Sequence, residues 1–282
     1  MNIKVPLSVP KKMHKVYKRN FKQATFNTGR LFLFAGDQKI EHLNDDFAEK
    51  FHNTDPEHLF KIANQSPVGV FAAHLGLISR YGQNYKKIPY IVKLNGKSNL
   101  VKTQDPLSQA LWTVDDVCEF KQNSGLNILG IGYTIYLGSE YENIMVKEAA
   151  QIINDAHQNG MLAVIWIYPR GKNVKNEKSI DILAGAAGLG LCLGADFVKL
   201  NYPFGSLAKD AEKYKAVVKA AGNTGIICSG GSKVSETEFL KRIKNQISIS
   251  GARGAAIGRN LHQNDLKTAI NLAKKIKEIT TK

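Results

Sequence analysis

Met161-Leu162-Ala163-Val164-Ile165-Trp166-Ile167-Tyr168 is an apolar run of strand length, and Gly194-Ala195-Asp196-Phe197-Val198-Lys199-Leu200-Asn201-Tyr202-Pro203 holds a second. Between them lies a helical pattern over residues 180–193. Two apolar strands joined by a helix make a β-α-β unit, the building block of a parallel sheet with helices on its faces. The same alternation extends in both directions. Strands are expected over residues 30–35, 69–74, 90–94, 127–133, 162–168, the Lys199 segment, 225–228 and 254–258. Helices are expected over 56–65, 75–81, 114–123, 140–159, 180–193, 208–221, 236–245 and 265–279, with Thr113 as an N-cap and Gly160 as a stop. Eight such units in a chain of 282 residues predict a single (β/α)8 barrel over residues 30–282, preceded by a basic extension over residues 1–29. The alternative is a doubly wound open sheet. Its dinucleotide loop would have to be Gly185-Ala186-Ala187-Gly188-Leu189-Gly190, which lies inside a helical pattern instead of after a strand. Close helix–sheet packing accounts for those glycines better.

Composition narrows the class. Hydrophobic residues make up 43% and charged residues 22%, ordinary for a water-soluble globular chain. No apolar run approaches the roughly 18 residues needed to span a bilayer, so no membrane partner is expected. Cys118, Cys192 and Cys228 are isolated, without metal-ligand spacing, which suits a reducing cytoplasm. The net charge of +15 is the outlier, and Lys11, Lys12, Lys15, Lys18, Arg19 and Lys22 concentrate it before the first strand. Such charge suits a nucleic acid, a membrane surface or small anions. No zinc-finger spacing, aromatic RNA-binding motif or heptad-linked basic helix accompanies it.

In a barrel, reactive groups gather at the C-terminal ends of the strands. Those ends carry Asp37, His74, Lys93 with Asn95, Tyr133, Trp166 with Tyr168 and Arg170, Lys199, Ser229-Gly230-Gly231, and Gly258-Arg259-Asn260. Lys199 stands among Phe197, Val198 and Leu200, and burial disfavours an ammonium. A desolvated lysine can attack a carbonyl as a free amine and form a Schiff base, whereas a strand-end lysine can equally snorkel to water. Trp166 and Tyr168 share a face by the two-residue period. A nearby cation would lower the pKa of Tyr168 and fit it for acid–base work. Asp37 after Gly36 is either a turn residue or a catalytic carboxylate. Glu41 and His42 follow it, but nothing completes a metal-binding set. Ser229-Gly230-Gly231-Ser232-Lys233 and Gly258-Arg259-Asn260 follow strands seven and eight, where barrels commonly hold phosphate on backbone N–H groups. Lys233 and Arg259 would add charge.

Taken in order, Trp166-x-Tyr168-Pro169-Arg170-Gly171, Asp196-x-Val198-Lys199-x-x-Tyr202, Ser229-Gly230-Gly231-x-Lys233 and Gly258-Arg259-Asn260 resemble the archaeal-type class I fructose-1,6-bisphosphate aldolases over residues 30–280. The resemblance implies a metal-independent enzyme without a cofactor. In it Lys199 forms the Schiff base, Tyr168 moves protons, Trp166 positions substrate and Asp37 assists. The glycine loops hold the dihydroxyacetone-phosphate end, and the assembly is a homo-oligomer. Two positions depart from the family pattern: Asp37-Gln38-Lys39 stands where Asp-His-Gly is usual, and Asn201 where a second lysine is common. Lys39, absent from the usual pattern, is the expected cation for the distal phosphate. Rival readings are a related superfamily enzyme, such as an aminodeoxyheptulosonate-type synthase or a thiolase acting on a phosphorylated autoinducer, and a nucleic-acid-binding barrel using its basic arm.

Overall fold

A computed structural model of the chain describes residues 3–43, 45–48, 52–231 and 234–282. Its first helix, α1 (His14–Ala24), precedes β1 (Leu31–Ala35), the short α2 (Gln38–Glu41), α3 (Glu57–Gln65), β2 (Val70–His74), α4 (Leu75–Tyr81) and β3 (Tyr90–Lys93). Then come α5 (Val114–Ser124), β4 (Ile128–Leu137), α6 (Glu142–Gln158), β5 (Leu162–Pro169), α7 (Ile180–Leu193) and β6 (Phe197–Leu200). The chain ends with α8 (Ala208–Ala220), β7 (Gly225–Ser229), α9 (Glu236–Ser248), β8 (Gly254–Ile257), α10 (Arg259–His262) and α11 (Leu266–Thr281).

All eight strands are parallel and close in chain order, β8 pairing back onto β1 from Leu31↔Gly254 to Phe34↔Ile257. This is the expected (β/α)8 barrel. Alternation within the strands sorts two cores. Val198, Leu200, Phe32, Phe34 and Ile131 pack outward against the helices. Leu31, Leu33, Ile91, Leu129, Leu162, Val164, Trp166, Phe197 and Ile227 fill the barrel. Thr113 caps α5 as expected, in a reciprocal box with Asp116. Of the α7 glycines, Gly190 carries the packing argument, because a Cβ there would sit 2.2 Å from Val198. Gly185 has open space around it.

Two features differ from the expectation. β4 runs on to Leu137, because β5 offers it a partner as far as Leu137↔Pro169. And the basic segment is not a free arm. Helix α1 buries Tyr17, Asn20, Phe21 and Ala24 against the N-terminal mouth of the barrel, while its lysines and arginine stay exposed. Phe21 stacks on Phe197 with ring centroids 5.7 Å apart, and Asn20 Nδ2 donates to Gly160 O at 2.9 Å. The Tyr17 hydroxyl donates to Asp196, which also accepts from Ala163 N at 2.8 Å. Helix α1 therefore covers the N-terminal mouth of the barrel, opposite the C-terminal ends of the strands.

Candidate active site

Lys199 is the third residue of β6, so parity turns it into the barrel with Phe197, while Val198 and Leu200 face the helices. In register it lies beside Trp166 of β5 and Ile227 of β7. It is 4% exposed, and its Nζ lies 5.2 Å from the centre of the Trp166 ring. Snorkelling to bulk water is not what this side chain does. Burial pulls its pKa below the usual lysine value; Arg259 acts in the same direction, and the Asp37 and Glu41 carboxylates oppose.

A cavity of about 100 Å³ opens on Lys199. Asp37, Tyr168, Arg170, Ser229, Gly230, Gly231, Gly258 and Arg259 line it, so most of the residues singled out from the sequence meet there. Tyr168 sits two residues beyond Trp166 on the inward face of β5, with the Arg170 guanidinium 5.2 Å from its ring centre. Trp166 is buried beneath the cavity and its indole Nε1 has no hydrogen-bond partner. Gly132 of β4 makes room for it: a Cβ there would lie 2.6 Å from the indole. Asp37 is 1% exposed, and its Oδ1 is also unpartnered.

Several expectations need correction. The pKa of Tyr168 is pushed well above 10, not lowered: burial dominates, and the Glu41 and Asp37 charges add to it more than Arg170 and Arg259 offset. The resting side chain is a neutral phenol. Lys39 does not reach the cavity; its amine lies 4.6 Å over the Phe47 ring. Gly230 cannot offer its N–H to a phosphate, since that group donates to Ala256 O at 2.9 Å in continuation of the sheet. Its carbonyl accepts from Arg242 and from Asn260 Nδ2. Gly231, at φ +66, is the glycine whose left-handed backbone the turn requires. Lys233 lies outside the described residues. Tyr133 points outward, because β4 parity places Gly132 and Thr134 inside, and its hydroxyl binds Glu148 of α6.

Five cavity residues were not singled out for catalysis or binding: Gln38, Glu41, His42, Asn201 and Ala256. Asn201, noted as a departure, accepts from Ser229 Oγ at 3.1 Å. Gln38 packs over Gly258, where a Cβ would meet its amide at 2.3 Å. Glu41 lies one helical turn after Asp37, a spacing that puts both carboxylates on one side of α2. That i, i+4 spacing was the available signal.

Beside them stands a second buried lysine. Lys93, at the end of β3, is fully enclosed. Its amine donates to Asn95 O (2.8 Å) and Asn95 Oδ1 (3.0 Å), and Glu41 lies 3.6 Å away. Three acceptors match the three donors of an ammonium. Burial still draws its pKa down, with Glu41 and Asp37 opposing. Asn95 is itself held by Thr134 N and by bonds to Ser108 O and Thr134 O. Lys199 has no hydrogen bond among the described residues, so of the two lysines it is the one left open to react. No cluster of three His, Cys, Asp or Glu side chains suited to a metal occurs among the described residues.

A buried lysine on strand six of a parallel barrel, opening on a cavity bordered by the loops after strands seven and eight, agrees with what comparison with known proteins finds. Residues 31–264 match the model of the DeoC/LacD family aldolases. The chain belongs to that family. A Methanocaldococcus jannaschii protein named fructose-bisphosphate aldolase/6-deoxy-5-ketofructose 1-phosphate synthase is 56% identical over 99% of this chain and 90% of its own length. The class 1 fructose-bisphosphate aldolase of Halobacterium salinarum is 36% identical over 84% and 86%. Among solved structures, the fructose-bisphosphate aldolase of Slackia heliotrinireducens superposes with a TM-score of 0.95 at 49% identity, covering 99% of this chain and 90% of that one. An archaeal fructose-1,6-bisphosphate aldolase, solved with its catalytic lysine bound to the carbinolamine intermediate, superposes at 0.80 with 32% identity over 93% and 99%. Among the described residues of this family member, no helix is long and apolar enough to cross a membrane.

Proposed function

We propose that the protein is a class I aldolase that cleaves fructose 1,6-bisphosphate reversibly into dihydroxyacetone phosphate and glyceraldehyde 3-phosphate. The observation that carries this is Lys199: a buried amine without a hydrogen bond, opening on the cavity that the two glycine loops border. Its neutral form attacks the C2 ketone, and Asp37, with a free oxygen, passes the amine's proton to the new hydroxyl. The high pKa of Tyr168 then has a use. The phenol gives its proton to the departing hydroxide as water leaves, and the iminium formed on Lys199 is the cation that stabilises the resulting phenolate. The phenolate takes the C4 hydroxyl proton as the C3–C4 bond breaks and its electron pair flows into the iminium, leaving an enamine. Glyceraldehyde 3-phosphate departs. Tyr168 returns the proton to C3, and water hydrolyses the second iminium to free dihydroxyacetone phosphate and the amine. The imine is the electron sink, so the cycle needs no metal or cofactor.

In this reading Ser229, Gly231, Gly258 and Arg259 hold the C1 phosphate, and Gly230 braces the loop through its carbonyl. Trp166 supports Lys199 from below. For the distal phosphate, Arg170 with Lys97 replaces Lys39, because both border the clefts adjoining the cavity. Residues 1–29 act as the barrel floor to the catalytic unit 30–282, and assembly as a homo-oligomer in the cytoplasm belongs to the same reading. The test is a coupled cleavage assay on the wild type and Lys199→Ala, with borohydride trapping. Activity should survive a chelator, vanish in the variant, and leave a substrate adduct on Lys199; an unmodified Lys199 under turnover defeats the proposal. The second name of the M. jannaschii relative supports a further reading, synthesis of a ketose phosphorylated at one end only, by the same enamine meeting another aldehyde. Supplying alternative aldehydes to the dihydroxyacetone-phosphate adduct distinguishes the two.

A further inference from the structure

The mechanism above leaves two buried groups unused, Glu41 and Lys93. Glu41 borders both the cavity at Lys199 and the neighbouring cleft that holds Lys97, Tyr136 and Arg170. It therefore sits where the space at Lys199 meets the cleft that holds the distal cations. A ketose chain with its C1 phosphate on the glycine loops and its far end at Arg170 must carry its middle carbons past this point. Those carbons bear hydroxyls, which are donors. Facing them, among the described residues, are Asp37 Oδ1, buried without a hydrogen bond, and Glu41 Oε1, buried with only the longer ion-pair contact to Lys93 at 3.6 Å. An ionised carboxylate only accepts, so the pair is matched to hydroxyl donors and to nothing a bare hydrocarbon chain offers. Lys93 explains what holds the Glu41 carboxylate in place. It stands 3.6 Å from Glu41 Oε1, its two other donors go to the immobilised Asn95, and its amine lies 5.4 Å from the Trp166 ring centre, on which Lys199 also rests.

We propose that Glu41 is a substrate-binding and specificity residue that accepts a hydroxyl from the middle carbons of a polyhydroxylated 2-ketose phosphate, and that Lys93 is the positioning residue that anchors it. This rests on the aldolase reading. Its chemical consequence is selectivity: a ketose without that hydroxyl leaves a buried carboxylate oxygen short of a donor, and a site built to bind a hydroxyl rejects the analogue lacking it strongly. The three-carbon ketone phosphate lacks the middle carbons, and its adduct is expected to need neither residue.

The experiment compares wild type, Glu41→Gln, Lys93→Met and the double variant in two assays: steady-state cleavage of fructose 1,6-bisphosphate, and borohydride trapping of dihydroxyacetone phosphate on Lys199. Glu41→Gln should lose about 10- to 100-fold in kcat/KM for cleavage, and its trapping should stay within about threefold of wild type. Lys93→Met should lose the same step, and the double variant should be scarcely worse than the weaker single one, since residues acting as a unit are non-additive. Additive losses, or trapping and cleavage falling in parallel, overturn the proposal, as does Glu41→Gln cleaving like wild type. Glu41→Gln, which is nearly isosteric, carries the test by itself should Lys93→Met not fold. If the wild type neither traps nor cleaves, it is the aldolase reading that fails, whatever the variants do.

Discussion

Two lysines rest on one indole, and their partners separate their roles. Lys93 is saturated by Asn95 and Glu41, whereas Lys199 faces a cavity with its amine unbound. Desolvation lowers both, but only the unbound amine can present its lone pair to a carbonyl. The same reasoning applies to Tyr168, whose buried environment keeps it a phenol; in the proposed cycle it stays one until the iminium forms. Tyr168→Phe should therefore lower the cleavage rate by about 10²- to 10⁴-fold, the usual range for removing a general acid–base. Its indole platform and phosphate loops would remain, so the KM for the bisphosphate should change little. A variant with unchanged kcat would remove Tyr168 from the mechanism. At Gly132 the constraint is steric: Gly132→Ala drives a methyl into the Trp166 ring and toward Lys93, and should cost activity before it costs stability. Comparing borohydride trapping with thermal unfolding of that variant separates the two.

At the scale of elements, α1 and β6 are coupled end to end. Asp196 immediately precedes β6, the strand that carries Lys199, and it accepts from Tyr17, from His157 Nε2 at 3.2 Å and from Ala163 N. Ser8 Oγ in turn meets His157 Nδ1 at 2.7 Å, pinning the start of the extension. Tyr17→Phe strips one donor from a buried carboxylate and should destabilise the protein by about 1–3 kcal/mol, read from urea unfolding. Deleting residues 1–29 uncovers Leu31, Leu129, Leu162 and Phe197 and should abolish cooperative unfolding. The nucleic-acid reading makes a different prediction, a folded barrel that has merely lost affinity. Exchanging the six exposed cations for glutamine, which spares the floor, tests affinity alone.

For the molecule as a whole, two buried histidines set an acid limit. Burial, helped by Lys93, holds His74 down to about 4, and burial holds His262 at about 3 against the pull of Asp46. Hydrogen bonding agrees for His262: Asn53 Nδ2 donates to its Nδ1 at 2.6 Å, so that nitrogen carries no proton. Unfolded histidine titrates near 6.5, so below that pH the unfolded chain binds protons that the native state refuses. Stability is therefore full above about pH 6.5 and falls as the pH drops toward 4. Each histidine should cost about 2 kcal/mol between pH 6.5 and pH 5. Urea midpoints across that range measure it, and His262→Gln should flatten roughly half of the slope.

The residue order by itself determined the architecture, the number of strand–helix units and the end of the barrel at which the chemistry gathers, because the alternation of apolar runs and the choice of turn residues are local properties. It likewise pointed to Lys199, Tyr168, Asp37 and Arg259, which the structure brings to one cavity, since strand parity and strand ends place side chains without reference to distant neighbours. What only the tertiary structure decided was the partners. Lys39 turned to Phe47, the Gly230 N–H was taken by Ala256, and Tyr133 followed the parity of a longer strand outward. Glu41 and Lys93 found each other, and the basic segment became a floor. Each outcome depends on which groups from far along the chain share one low-dielectric space, and that is where pKa values, hydrogen-bond satisfaction and packing are settled.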